Sequence, residues 1–112
     1  VPVKQPAFRN LPTTIKSQEN ETIFVPCAID DLGGSYVRWW KDETLLYDSN
    51  NLPISIQSKY KILKDGLSIE TVKPEDSGDY SCEIVRPQPW SPLKLTQNVQ
   101  ILYPPKIQIN PS

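Results

Sequence analysis

The sequence predicts an all-β fold, a sandwich of two antiparallel sheets. Two observations carry that reading. Apolar residues recur in short runs with a period of two, separated by proline-punctuated loops. Cys27, Trp39, Tyr80 and Cys82 also stand in a fixed relation: Trp39 follows Cys27 by 12 residues, and Tyr80 precedes Cys82 by two. By alternation Tyr80 and Cys82 share one face of a strand, as Val37 and Trp39 share one face of another.

The elements follow in order. Proline residues at 2, 6 and 12 suit an edge strand, because proline cannot donate to a ladder. A strand is expected at Ala7–Asn10, broken at Pro12 and resumed at Thr13–Lys16 on the opposite sheet, with a turn over Ser17–Glu21. Thr22–Ile29 alternates, with Ile23, Val25, Cys27 and Ile29 on one face. Pro26 lacks an N–H, so it should stand where the neighbouring strand has departed, or beside a bulge. Asp30–Ser35 is turn-forming.

In the strand Ser35–Lys41, alternation puts Val37 and Trp39 inward and Tyr36, Arg38 and Trp40 outward. The reverse would expose Val37 and bury the Arg38 charge, which costs far more. Thr44–Asp48 reads as a short strand, Asp48–Pro53 as loop and Lys59–Leu63 as strand. Asp65-Gly66 is a hairpin signal leading into Leu67–Val72, with Leu67 and Ile69 inward. Lys73–Ser77 makes a tight connection. Gly78–Val85 places Tyr80, Cys82 and Ile84 inward and Ser81, Glu83 and Val85 outward. A stiff loop, Arg86–Pro92, carries Trp90. The strand Leu93–Tyr103 then shows Leu95, Val99 and Ile101 on one face. A double proline at 104–105 and a new alternation from Lys106 divide the chain into one domain at 1–105 and, at 106–112, a linker or the first strand of a following module.

Val37-Arg38-Trp39-Trp40-Lys41-Asp42, Gly66-Leu67-Ser68-Ile69 and Asp76-Ser77-Gly78-Asp79-Tyr80-Ser81-Cys82 together resemble an immunoglobulin domain of the intermediate (I-set) type, with a V-like variant second. Such domains occur in multi-domain cell-adhesion molecules and receptors. Cysteines 55 residues apart are close-set for an antibody variable domain. Two cysteines do not by themselves distinguish a disulfide from two buried thiols. The resemblance implies an immunoglobulin-like sandwich with an inter-sheet Cys27–Cys82 disulfide packed on Trp39. A bridge closing that loop contributes about 4 kcal/mol in the chain-entropy model. It further implies a corner hydrogen bond from Tyr80, and an ion pair between Asp76 and Lys59 or Lys61. In the family's lettering, the strands at 35–41, 44–48, 78–85 and 93–103 are C, C′, F and G, which share one sheet.

Catalysis finds no support in the residues. The chain has no histidine, and paired acids such as Asp30-Asp31 and Asp42-Glu43 stand in turns as solvated turn formers, so neither nucleophilic catalysis nor a metal or other cofactor is expected. A net charge of -1, from 12 basic and 13 acidic residues interspersed, provides no field for nucleic acid. No apolar run approaches the roughly 20 residues of a spanning helix, so no direct membrane insertion is expected of this segment, and any leader or anchor is expected outside it. Asn20-Glu21-Thr22 is the one Asn-x-Ser/Thr with a non-proline centre, which marks Asn20 for glycosylation and the chain for an extracellular or cell-surface location.

What remains is protein binding. The outward G-F-C-C′ face offers Tyr36, Arg38, Trp40, Tyr47, Glu83, Val85, Lys94 and Thr96, with Trp90 at the tip of the neighbouring loop. Aromatic and arginine residues of this kind anchor interfaces. The expected function is an extracellular recognition module binding a like or unlike protein, including as a dimer, through that face. The alternatives are a structural spacer domain, with Trp40 covered inside its own domain, and an intracellular muscle-type module with reduced cysteines.

Overall fold

The computed structural model of the protein describes residues 5–49 and 58–102. Within them, ten strands form in chain order: β1 (Ala7–Phe8), β2 (Thr14–Gln18), β3 (Ile23–Pro26), β4 (Ile29–Asp30), β5 (Tyr36–Lys41), β6 (Thr44–Asp48), β7 (Tyr60–Leu63), β8 (Gly66–Ile69), β9 (Gly78–Val85) and β10 (Leu93–Leu102). A single 3-10 turn covers Pro74–Asp76. One layer is a five-stranded sheet in the order β2-β10-β9-β5-β6. The other carries the three-stranded sheet β3-β8-β7 and the small pair β1-β4. The loop expected at 48–53 lies outside the described residues from 50 on, and so does the boundary expected at 105–106.

The alternation of the sequence becomes the core. Val25, Leu67, Ile69 and Val72 from one layer meet Trp39, Tyr80, Cys82, Leu95, Val99 and Ile101 from the other. Trp39 is only 2% exposed. Cys27 and Cys82 join the layers through a disulfide with a Cα–Cα separation of 6.5 Å. Trp39 pairs with Cys82 across β5 and β9, so the indole stands beside the bridge. Burial of these apolar groups, at about 25 cal/mol per Å², is the main stabilising term.

The edge strand behaves as its prolines dictate. β1 pairs antiparallel with β4, and after Pro12 the chain crosses to run parallel to β10 as β2, Thr14 opposite Asn98 through Gln18 opposite Leu102. Pro26 falls where this crossing has removed the neighbour. The next residue, Cys27, donates its N–H to Asp65 O at 2.8 Å, so by alternation Pro26 turns its missing donor away from β8. Its carbonyl, on that same side, accepts from Gln97 Nε2 at 3.2 Å. The strand expected unbroken over 22–29 is therefore two pieces. Ala28 is held instead by Arg9 N–H to its carbonyl (2.8 Å) and by its own N–H to Asn10 Oδ1 (2.6 Å).

Two further expectations shift. Gly66 is not the turn itself but the first paired residue of β8, opposite Leu63, and the two-residue connection is Lys64–Asp65. A side chain at Gly66 would stand 2.3 Å from Val25 O, so the glycine serves a close approach of backbones. β8 also ends at Ile69 instead of Val72, because Thr71 adopts a left-handed conformation (φ 51°). Val72 leaves the ladder, bonding to Asn20 N–H and Glu21 O, yet stays fully buried.

Candidate functional site

The register of the five-stranded sheet fixes what faces outward. Because Trp39 is buried and Val37 packs against the core, Tyr36, Arg38 and Trp40 emerge on the opposite face of β5. β9 sets Val85 beside Tyr36, Glu83 beside Arg38 and Ser81 beside Trp40. β10 adds Lys94 beside Glu83 and Thr96 beside Ser81. One row across the sheet thus reads Lys94, Glu83, Arg38, Asp48, with alternating sign. The row beside it reads Thr96, Ser81, Trp40, Leu45.

Tyr47, expected on this face, is a correction. The β5–β6 register shifts between Trp39 and Trp40, pairing Trp39 with Tyr47 and Trp40 with Leu45. Leu46 is the extra residue, and a bulge of this kind reverses the alternation beyond it. Tyr47 consequently turns inward and packs against the core, lining a small cavity with Cys27, Trp39 and Cys82. Leu45 takes its place outside, 43% exposed next to Trp40.

The polar groups of the face are bound to one another. Trp40 Nε1 donates to Glu83 Oε1 at 2.9 Å, and Lys94 Nζ lies 5.5 Å from the centre of the Trp40 ring. Arg38 Nε donates to Asp48 Oδ2 at 3.1 Å, its Nη2 donates to Tyr36 OH at 3.2 Å, and the guanidinium lies over the Tyr36 ring at 5.4 Å. Partial burial opposes the Arg38 charge, but the hydrogen bond to Asp48 and the nearby Tyr36, Asp48 and Glu83 outweigh it and raise its pKa. Ser81 and Thr96 share a hydroxyl hydrogen bond at 2.8 Å. The side chains are thereby held in one geometry before any partner arrives, which lowers the entropy lost on binding.

The scaffold beneath is equally defined. Asp76 is buried and accepts from Lys59 Nζ at 2.5 Å and from the Lys73 N–H at 2.8 Å. Lys61, the other candidate, pairs instead with Glu70 at 2.6 Å, at the surface. Tyr80 OH donates to Asp76 O at 2.7 Å. Burial, with Tyr60 and Asp76 nearby, pushes the Tyr80 phenol well above its ordinary range.

Outside the sheet face, Trp90 is 43% exposed on the loop between β9 and β10 and lines a shallow pocket with Pro6, Leu32, Gly34 and Pro87. It stands at the sandwich end where β9 finishes, apart from the Trp40 row. Asn20 is exposed in the turn between β2 and β3. Among the described residues, no group of three or more His, Cys, Asp or Glu side chains is placed to hold a metal ion.

One residue that sequence reasoning missed is Gln97. It shares the inward face of β10 with Leu95, Val99 and Ile101, is 1% exposed, and its amide is fully used. Oε1 accepts from Thr13 N–H at 2.6 Å, and Nε2 donates to Leu11 O and Pro26 O, each at 3.2 Å. It clasps the crossover of the edge strand. The only sequence signal was a polar residue at an apolar position of a regular alternation.

Comparison with known proteins gives a consistent picture. The family profile of the immunoglobulin I-set domain matches residues 6–87. Protein turtle of Drosophila melanogaster is 27% identical over 103 residues, covering 90% of this chain and 6% of turtle. Cell adhesion molecule DSCAM of Rattus norvegicus is 33% identical over 95 residues, covering 82% of this chain and 4% of DSCAM. The chain thus spans a small fraction of the relatives it matches. Among solved structures, Dpr1 IG1 in its complex with DIP-eta IG1 has a TM-score of 0.73 at 21% identity, covering 88% of this chain and 96% of that one. The titin I-band fragment I67-I69 has a TM-score of 0.68 at 23% identity, covering 88% and 33%.

Proposed function

Since this chain belongs to the immunoglobulin I-set family, we propose that it is an extracellular protein-recognition module of a cell-adhesion molecule or receptor, and that it binds its protein partner through the outward face of β5, β6, β9 and β10. The observation that carries this reading is the pair Trp40 and Leu45. A second tryptophan and a leucine lie side by side on a sheet whose core already has Trp39, next to a row of alternating charge. Apolar anchors beside oriented charges are how protein interfaces combine affinity with discrimination. A protein named for cell adhesion among the relatives, and a domain solved in complex with another immunoglobulin domain, support the same reading. The partner is a like or unlike protein, and the location is the cell surface or extracellular space. The disulfide favours that compartment over a reducing cytosol.

Sedimentation velocity and cell-surface binding of the multimerised domain test the proposal with Trp40→Ala. Association should fall at least tenfold while the melting temperature stays nearly unchanged. Undiminished association would refute the assignment to this face. One observation favours a spacer role instead, namely that Trp40, Glu83, Lys94, Arg38 and Asp48 are paired within the domain. That role predicts a domain that stays monomeric and captures nothing.

A further inference from the structure

The turn between β2 and β3 carries a feature that protein binding does not use. Asn20 stands there with φ 73°, its own N–H bonded to Val72 O at 2.7 Å, while Val72 N–H returns to Glu21 O at 2.9 Å. The backbone on both sides of the side chain is therefore pinned. The amide is exposed and only half used: Oδ1 accepts from Lys73 Nζ, whereas Nδ2 has no hydrogen bond among the described residues. Glu21 is drawn aside by Ser17, whose hydroxyl donates to Glu21 Oε2 at 3.1 Å. Thr22 is exposed and its hydroxyl is likewise unengaged among the described residues. Asn-x-Thr is the acceptor pattern for an N-linked oligosaccharide, and the disulfide belongs to the same oxidising route in which that pattern is read.

We propose that Asn20 carries an N-linked oligosaccharide that projects from the end of the sandwich opposite Trp90 and leaves the Trp40 face open. The transfer balances with a sugar donor of the diphospho-lipid class. Asn20 Nδ2 forms a bond to the anomeric carbon, the carbon–oxygen bond to the diphosphate breaks with its electron pair, and Nδ2 releases one proton. Oδ1 takes no part, so the contact with Lys73 survives the modification.

The topology places the sugar. Asn20 follows Gln18, which pairs with Leu102 at the far end of β10, whereas Trp40 lies level with Thr96. Six residues of strand rise at about 3.4 Å and three strand spacings at about 4.8 Å put Gln18 roughly 25 Å from Trp40, and the modified amide follows two residues later in the turn beyond it. It stands instead at the end of β2, the outer strand of the five-stranded sheet. An edge strand is a template for unwanted pairing, and a bulky polar chain beside it obstructs a second sheet there.

The test requires no partner. The chain is secreted from eukaryotic cells, and its mass and peptide map are compared before and after peptide-N-glycosidase, together with Asn20→Gln, Thr22→Ala and Thr22→Ser. The proposal expects carbohydrate on the wild type and on Thr22→Ser, conversion of Asn20 to aspartate by the enzyme, and bare polypeptide for the other two. An unmodified Asn20 in the secreted wild type overturns it, as does carbohydrate that persists in Thr22→Ala.

Discussion

Replacing Gln97 with leucine removes three hydrogen bonds from a nearly sealed position while keeping its bulk. The losses are unequal. Pro26 O is partly buried and left without its donor, which costs about 1–3 kcal/mol. Thr13 N–H and Leu11 O are at the surface and regain water, so each loses only about 0.5 kcal/mol. Gln97→Leu should thus lower stability by about 2–4 kcal/mol, a drop in melting temperature of roughly 10–20 °C for a domain of this size. Urea unfolding measures the total. Amide exchange locates it, because Thr13 N–H bonds to Gln97 Oε1 and should lose protection before the strands of the core do. Gln97→Glu adds a sign test. Its carboxylate would face the carbonyls of Leu11 and Pro26, so the folded state should hold the proton more tightly than the unfolded chain. Stability would then be present below about pH 4 and lost as pH rises through the folded-state value. A leucine variant within about 0.5 kcal/mol of wild type, with Thr13 still protected, would refute the clasp.

The two lysines near Asp76 should behave differently. Lys59→Met leaves a buried carboxylate with the Lys73 N–H as its remaining hydrogen-bond donor among the described residues and should cost about 1–3 kcal/mol in urea unfolding, whereas Lys61→Met, from an exposed pair, should change stability by about 0.5 kcal/mol or less. Tyr80→Phe should cost about 1 kcal/mol at neutral pH through the lost bond to Asp76 O. The raised Tyr80 pKa means that the folded state keeps a proton the unfolded chain releases above about pH 10, so wild-type stability contains a term that falls by up to about 1.4 kcal/mol per pH unit there. The phenylalanine variant lacks that term, and the two unfolding curves should converge between pH 9 and 11; a constant gap would contradict the assignment.

Much of this architecture was legible because a period of two and a few fixed spacings determine it. Cys27, Trp39, Tyr80 and Cys82 needed only alternation and their mutual distances in sequence to be placed at the centre. Pro6 and Pro12 announced the divided edge strand, and Pro26 a place where the next strand's neighbour has departed, since a missing donor has few tolerable positions. The candidate face followed from the same alternation wherever the strands are regular, which is why Tyr36, Arg38, Trp40, Glu83 and Val85 stand where they were expected. Tyr47 failed because one extra residue, Leu46, reverses the faces of β6, and neither residue's chemistry signals a bulge. Lys59 stands just before β7 and Lys61 two residues on within it, so alternation does not separate them, and only the placement of Asp76 and Glu70 in space decides which lysine takes which acid. Gln97 was hidden because its partners lie 71 to 86 residues away in the chain. A buried amide reads as a flaw in the pattern until the groups it satisfies are known.

Binding through the Trp40 face is best probed by placing a sugar on that face without touching the core. Lys94 is exposed and Thr96 already stands two residues on, so Lys94→Asn creates an acceptor pattern beside Glu83 and over Trp40. Secreted from eukaryotic cells and verified by mass to carry the added carbohydrate, this variant should keep its melting temperature within a few degrees. Its association with the partner, self or other, should be abolished. Binding equal to wild type with the sugar in place would rule out the Trp40 face as the binding surface.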